Sequence, residues 1–515
     1  MDMEKAILKY RDMKHKSSVG GGQERIDRLI KEGYLTAEKR IALLTDPGSF
    51  VEWGTFAGHQ PAEFGPNPPY IPRDGVITGF AEIDGRAVGL YAHDRTVQGG
   101  SLGDVHAMKI VHIIDRCREM KIPLVALQDS VGARIQEGNK RTGFDGIFHA
   151  CTRASGIVPL ISAIFGRCAG GVAYSSALMD FVLMIRGKSQ LFITGPTVIK
   201  AVTNEDVTFE ELGGADVHAR KSGVCDIVVD TEEEMIERIR ELLALLPDSN
   251  ASSPRRVIPS DDPDRQNDGL LTIIPREDRK YYNMLHLIDM VIDEASFFEI
   301  KKIYAKNIIT GFGTMDGWTV GIIANQPACL AGAIDVNAAD KGARFIRFCD
   351  AFNIPVITFV DVPGYLPGVH QEHLGIIRHG AKMLYAYAEA SVPKITVIVR
   401  KDYGGGKQAM CSKPMGADFV LAWPSAELAV MGAEGAVDVI YGREIAKSDR
   451  AEEMRNDLIA EYREIFGGPY EAARKMYVDD VIEPQETRPK IIKALKVLRN
   501  KKPARMDKKH GNIPL

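Results

Sequence analysis

Two short glycine runs carry the chemistry most readily available to this chain: Cys168-Ala169-Gly170-Gly171 and Tyr403-Gly404-Gly405-Gly406. Each follows an apolar, strand-like run and precedes a helical pattern. Glycine lets a ligand approach the backbone closely, and a helix start presents N–H groups that have no partner within the helix. Such donors can hold the oxygen of an enolate. A single Gly-Gly pair is more simply a tight turn. Two pairs at equivalent places in a repeated sequence point instead to two oxyanion sites, one per repeat.

Other candidate sites fail on spacing. Gly404-Gly405-Gly406-Lys407 resembles a phosphate loop, but that loop needs glycine where Lys401 stands and Ser or Thr where Gln408 stands. His370-Gln371-Glu372-His373 lacks the His-Glu-x-x-His interval of a zinc protease, so solvated loop histidines account for it. Met108-Lys109 has the look of a biotin-attachment pair but falls inside a helical pattern, where an attachment lysine needs a hairpin tip. There is no Gly-x-Ser-x-Gly nucleophile elbow. The basic run Lys501 to Lys509 reads as a solvated terminus.

The elements that must position the glycines come in two copies. Sliding the sequence by 232 positions gives 16 identities over 79–132, where chance gives roughly three or four. Among them are Gly79-Phe80 on Gly311-Phe312, Asp84-Gly85 on Asp316-Gly317, Lys109 on Lys341, Cys117 on Cys349 and Asp129 on Asp361. A two-residue insertion then lays Gly170-Gly171 on Gly404-Gly405. Each copy reads as a hairpin turning at Asp-Gly, a glycine-rich loop and a helix (Val105 to Met120; Val336 to Phe352). A buried parallel strand follows (from Pro123; from Pro355), ending in Asp and a glycine loop. Strand–helix alternation of this kind predicts an α/β fold with sites at the strand C-termini. Between the copies, 247–269 holds four Pro, five Asp and four Ser without apolar periodicity, a composition that cannot bury enough surface to fold alone. The expected organisation is therefore a domain over 1–250, a linker over 251–269 and a second domain over 270–515.

Bulk properties agree with a globular enzyme. The chain has 515 residues, 45% of them hydrophobic and 26% charged, so disordered and fibrous classes are excluded. A formal net charge of −4 offers no field for nucleic acid or an anionic membrane. No apolar run approaches the ~18 residues of a membrane span. The charged N-terminus lacks a signal-peptide core, and seven cysteines without a Cys-x-x-Cys pair read as reduced thiols of a cytoplasmic protein.

With these residues in view, the chain resembles the carboxyltransferase (β) subunits of biotin-dependent acyl-CoA carboxylases, most closely the propionyl-CoA carboxylase type. The resemblance rests on GGSLGDVHAMKI (99–110), GARIQEG (132–138), CAGGVAYSSAL (168–178) and FITGPTVIKAVTNEDVTFEELGGA (192–215). In the second half it rests on YAKNIITGFG (304–313), the stretch 341–368, IIRHGAKMLYAYAEA (376–390) and AVMGAEGAV (429–437). It implies two tandem crotonase-like domains of the ClpP/crotonase superfamily, assembled as a homo-hexamer. It also implies a carboxyl group delivered on biotin by a separate carrier protein or biotin carboxylase subunit, an acyl-CoA thioester as acceptor, and no metal in this subunit. By motif match Gly170 and Gly171 hold the thioester oxygen, and Gly405 and Gly406 the biotin ureido oxygen. Ala133, Arg134, Asn325 and Gln326 fall in the matching acyl-CoA regions, Arg134 as a candidate partner for a CoA phosphate.

The chain departs from that pattern where the family reads Gly-Gly-Ala-Tyr-Asp-Val-Met and this sequence has Gly404-Gly405-Gly406-Lys407-Gln408-Ala409-Met410. The position of Gln408 lines the acyl pocket in relatives, and Lys407 brings a cation able to pair with a carboxylated or otherwise polar acyl tail. Two rivals follow. One is the α-subunit of a sodium-pumping decarboxylase such as methylmalonyl-CoA decarboxylase, which runs the same transfer in reverse. The other is a biotin-free hydratase or hydrolase, which needs a catalytic carboxylate, Glu137 being the best placed.

Overall fold

The first Asp-Gly turn shows how faithfully the repeat is built. In the first unit β1 (Val51–Trp53) pairs antiparallel with β2 (Val76–Ile83), which returns as β3 (Arg86–His93) through Asp84 and Gly85 alone. Both turn residues have positive φ, 50° and 69°, the two-residue hairpin geometry that Asp-Gly favours. From β3 onward the strands are parallel: β4 (Leu124–Ser130), β5 (Leu160–Ala169), β6 (Phe181–Ile185) and β8 (Ile227–Val229), with the short β7 (Gln190–Phe192) beside the end of β5. The sheet order is β1-β2-β3-β4-β5-β6-β8.

The computed structural model describes residues 2–59, 71–137, 142–259, 261–277, 280–466, 468–501 and 508–515. The second unit repeats the sheet as β9 (Phe298–Ile300), β10 (Ile308–Met315), β11 (Trp318–Asn325), β12 (Val356–Val362), β13 (Lys394–Tyr403), β14 (Phe419–Ala422), β15 (Glu427–Ala429) and β16 (Asp480–Val481). Its order is β9-β10-β11-β12-β13-β14-β16, with β15 on β13. Ile308 and Val356 lie 232 positions after Val76 and Leu124, and Lys394 lies 234 after Leu160, so the strand bounds coincide at the sequence offsets. Even the ladder irregularity recurs, between Gln128 and Ser130 on β4 and between Val360 and Val362 on β12.

The repeated identities are packing contacts. A Cβ on Gly89 would lie 2.1 Å from the Cys117 sulfur, and one on Gly321 2.6 Å from that of Cys349. In both units the pair lets a helix, Asp104–Met120 or Val336–Ala351, lie close against the sheet. Lys109 and Lys341 are buried on those helices, which removes Lys109 as an attachment site. Lys341 Nζ donates to the carbonyls of Lys301, Tyr304 and Ile308 at 3.0, 2.9 and 2.7 Å, closing the turn before β10. Lys341→Met leaves those acceptors without their donor and is expected to lower stability by ~2–3 kcal/mol in denaturant unfolding; an unchanged midpoint would mean water serves them equally well.

The chain divides into compact units at Met1–Ser253 and Pro254–Leu515. The stretch 251–269, expected as a free link, is instead laid along the second unit from Pro254, with Ser260 outside the described residues. Val257 N–H donates to the Gly317 carbonyl at 2.9 Å, and Arg265 donates to the carbonyls of Met290 and Ile292 at 2.8 and 2.9 Å. Its polar side chains bond backbone groups, so the segment is ordered without apolar burial of its own. Residues 502–507 of the basic run also fall outside the described residues. Among the described residues all seven cysteines are free thiols, with only Cys329 not fully buried.

Candidate active site

Each glycine turn sits where the longest parallel strand of its unit becomes a helix. In the first unit β5 runs into Gly170, and the helix Gly171–Ala177 follows. Gly170 has φ 63° and ψ −124°, a region essentially closed to side-chain-bearing residues. Gly171 is small for another reason: a Cβ there would lie 2.2 Å from the Phe144 ring. The two N–H groups also differ. Gly170 donates to the Phe192 carbonyl on β7 at 3.1 Å, which fastens the turn. Gly171 begins the helix, so its N–H has no partner four residues earlier. As seated here, the Gly170 N–H is taken by the Phe192 carbonyl, whereas the Gly171 N–H has no intrahelical partner.

In the second unit β13 ends at Tyr403 and the helix Gly404–Ala409 follows. Gly404 has positive φ (52°), and a Cβ there would meet the Val430 carbonyl at 2.9 Å. Gly406 is buried, its missing Cβ falling 2.8 Å from Val362 and 3.0 Å from Gly364, while Gly405 is exposed beside the Tyr365 ring. Gly404, Gly405, Lys407, Gln408, Lys475 and Tyr477 are among the residues lining a cavity of about 560 Å³. The volume falls within the range of small-molecule sites.

Loops after β4 and β12 abut these turns. Gly132, at φ 104°, approaches Ala169: a Cβ there would lie 3.1 Å from its carbonyl oxygen. The Asp at the start of each loop is a buried anchor. Asp129 accepts from Arg40 at 3.2 Å, and Arg40 also holds Glu232 at 2.7 Å. Asp361 accepts from Arg400 at 3.0 Å and from the Tyr282 hydroxyl at 3.0 Å. Burial pushes both carboxyls above the ordinary range, although the arginines pull them down. Arg40 and Glu232 have no motif around them in the sequence.

Several expected ligand contacts are internal fastenings. Arg134 is buried, 5% exposed, and bonds Asp74 at 2.7 Å, the Ser101 carbonyl at 2.9 Å and the Glu137 carboxylate. As seated it offers nothing to a CoA phosphate. Glu137 is committed to Arg134 and the Asp104 N–H, and this removes the carboxylate that a hydratase would need. Gly138 of the same motif lies outside the described residues. Asn325 is fully buried, donating to the Gly332 carbonyl and accepting from the Asp361 N–H. Gln326 bonds Met284 and Asn283. Ala133 is exposed on the loop. A cavity that sequence reading missed lies instead beside Gly99: about 350 Å³, with three arginines, Arg25, Arg28 and Arg95, and one carboxylate, Glu32, in its lining. Among the described residues no cluster of three or more metal-ligating side chains occurs, and no helix is long and apolar enough to cross a membrane.

The glycine turns thus recur at equivalent strand ends of a duplicated α/β unit. The carboxyl transferase domain family matches residues 29–513, and the chain belongs to that family. It is 52% identical over 516 residues, all of both chains, to a propionyl-CoA carboxylase carboxyltransferase subunit of Haloferax mediterranei. It is 50% identical over 501 residues, 97% of each chain, to a methylmalonyl-CoA decarboxylase subunit alpha of Veillonella parvula. Its fold matches the solved transcarboxylase 12S, described as a hexamer with methylmalonyl-coenzyme A bound, at a TM-score of 0.97 and 45% identity, covering 100% of this chain and 99% of that one. The two units are crotonase-like domains.

Proposed function

We propose that this chain is the carboxyltransferase component of a biotin-dependent acyl-CoA carboxylase, moving a carboxyl group from biotin to the α-carbon of a short acyl-CoA such as propionyl-CoA. The observation that carries the reading is the pair of equivalent strand–glycine–helix turns, one per unit, in a chain with full-length likeness to such subunits. Carboxylated biotin on its carrier protein supplies the carboxyl group. Gly171, set by Gly170, donates to the thioester oxygen as negative charge develops there on loss of the α-proton, which passes to the biotin ring nitrogen that gave up the carboxyl group. Gly405, on the wall of the 560 Å³ cavity, and Gly406 beside it donate to the biotin ureido oxygen. The nucleotide phosphates of coenzyme A meet Arg25, Arg28 and Arg95 rather than Arg134. The protein works as a homo-hexamer in the cytoplasm, the first unit taking the acyl-CoA and the second the biotin.

The likeness to the decarboxylase alpha subunit supports a second reading, the same transfer in the opposite direction. One site serves both, so the partners decide: an ATP-using biotin carboxylase for the first, a strongly hydrophobic membrane subunit for the second. The test supplies the purified chain with methylmalonyl-CoA or malonyl-CoA labelled in the free carboxylate, together with a biotinylated carrier. Label is expected on biotin. A folded protein that labels nothing with either donor would sink both readings.

A further inference from the structure

The second glycine turn carries two charged residues, Asp402 and Lys407, that its fold does not require. Asp402 and Lys407 stand 234 positions after Cys168 and Ala173, so the first unit builds the same strand, turn and helix with a neutral thiol and a methyl group. The register is the same too: Cys168 pairs with Ser130, and Asp402 with Val362. Asp402 is only 2% exposed, and its carboxylate makes no hydrogen bond or ion pair among the described residues. Lys407 is the one charged group found to act on it, and burial pushes the carboxyl up to about 7. A buried carboxylate in that condition is costly, and packing does not explain its presence.

Lys407 stands between two spaces. A closed space of about 10 Å³, enough for one water, is bordered by Asp402, Lys407, Ser412 and Tyr477. The open cavity of about 560 Å³ is bordered by Lys407 and Tyr477 together with Gly404 and Gly405. The ammonium lies 5.1 Å from the centre of the Tyr477 ring. The other cation lining that cavity, Lys475, is already paired with Glu471 at 3.1 Å. An anion entering the open cavity therefore meets a lysine that forms no ion pair among the described residues, although the carboxylate of Glu471, paired with Lys475, lines the same cavity.

We propose that Lys407, with Asp402 as its buried counter-charge, recognises the carboxylate carried on biotin, so that the second cavity holds carboxylated biotin in preference to the uncarboxylated form. This rests on the carboxyltransferase reading. If Gly405 and Gly406 hold the ureido oxygen, the carboxylate is borne on a ring nitrogen bonded to that same carbonyl carbon. Lys407 is the next residue of the turn. The acyl-CoA oxygen belongs to the other glycine pair, which is why biotin is favoured over a polar acyl tail as the source of the anion.

The experiment is steady-state transfer to propionyl-CoA by the full-length chain, from carrier protein carboxylated by its biotin carboxylase, with uncarboxylated carrier as inhibitor. Lys407→Met is expected to raise KM for the carboxylated carrier about 10- to 100-fold, the worth of a hydrogen bond to a charged group. KM for propionyl-CoA and the inhibition constant of uncarboxylated carrier should stay within about twofold. Lys407→Arg should restore most of the loss. Asp402→Cys, the first unit's residue, frees the ammonium and should lower KM for the carboxylated carrier below wild type. Equal weakening of both carrier forms, a rise confined to propionyl-CoA, or a weaker Asp402→Cys would each overturn the proposal. Wild type unable to transfer at all would instead defeat the carboxyltransferase reading.

Discussion

Gly170→Ala is expected to lower carboxyl transfer by at least ~100-fold while leaving the chain folded. The backbone at this position, φ 63° and ψ −124°, costs a side-chain-bearing residue ~1–3 kcal/mol. That is too little to unfold a chain of this size but enough to turn the peptide to another conformation. Turning it breaks the 3.1 Å bond from Gly170 N–H to the Phe192 carbonyl and re-aims the N–H of Gly171. Removing one oxyanion donor costs about 10²–10³ in kcat elsewhere, and re-aiming is equivalent when the oxygen sits in a fixed place. The effect should fall on kcat more than on KM for the acyl-CoA, because the donor matters most as charge develops. Thermal unfolding recorded beside the kinetics separates this from a folding defect. Activity within about fivefold of wild type, in a folded protein, would show that the first glycine turn does not hold the reacting oxygen.

That turn was legible in the sequence because its cause is local. Gly170-Gly171 and Gly404-Gly405 sit at fixed offsets in a repeat, and the four strands from β2 to β5 obey those offsets to the residue in β10 to β13. Repeated identities at Gly89 with Cys117 and Gly321 with Cys349 likewise reflect contacts that every copy of the fold must make. What escaped was side-chain partnership across long stretches of chain. Arg134 looks like a loop cation until Asp74, sixty residues earlier, is seen beneath it. Asn325 and Gln326 fall in a ligand-binding region by motif, yet each spends its amide on neighbouring backbone or side chains. The segment before Leu270 has the composition of a tether, but its arginines find carbonyls on the second unit. Lys407 stood out as a departure from a family pattern; Asp402 behind it carried no such mark. Periodicity and turn chemistry are written in neighbouring residues, whereas the partner of a buried charge is set only when the chain has folded.

Arg40 is the strongest case of such a hidden partnership, and Arg40→Met is expected to cost about 3–5 kcal/mol of stability. Its guanidinium is 2% exposed, lies 4.4 Å from the Phe165 ring and joins Asp129 to Glu232, three elements brought together by one side chain. Methionine preserves much of the volume but leaves carboxylates in a space that water does not reach. The pH dependence identifies the cause. Burial already raises the Asp129 carboxyl above its ordinary value, so its ionised form costs stability at high pH, and that cost disappears as protonation proceeds on acidification. Without Arg40 the carboxyl rises further, so wild type and variant should differ most at high pH, where the carboxyl is ionised, and converge as the pH falls and it is protonated. Denaturant midpoints measured as a function of pH provide the test, and a difference that stays constant with pH would mean the loss is one of packing, not of charge. Arg40→Lys keeps the charge but cannot span both carboxylates with one planar fork, so it should recover only part of the loss. Asp129 lies near the end of β4, whose following loop meets Ala169 through Gly132, so loss of its anchor should also reduce transfer in the fraction that remains folded, joining the stability of the first unit to the aim of its oxyanion donor.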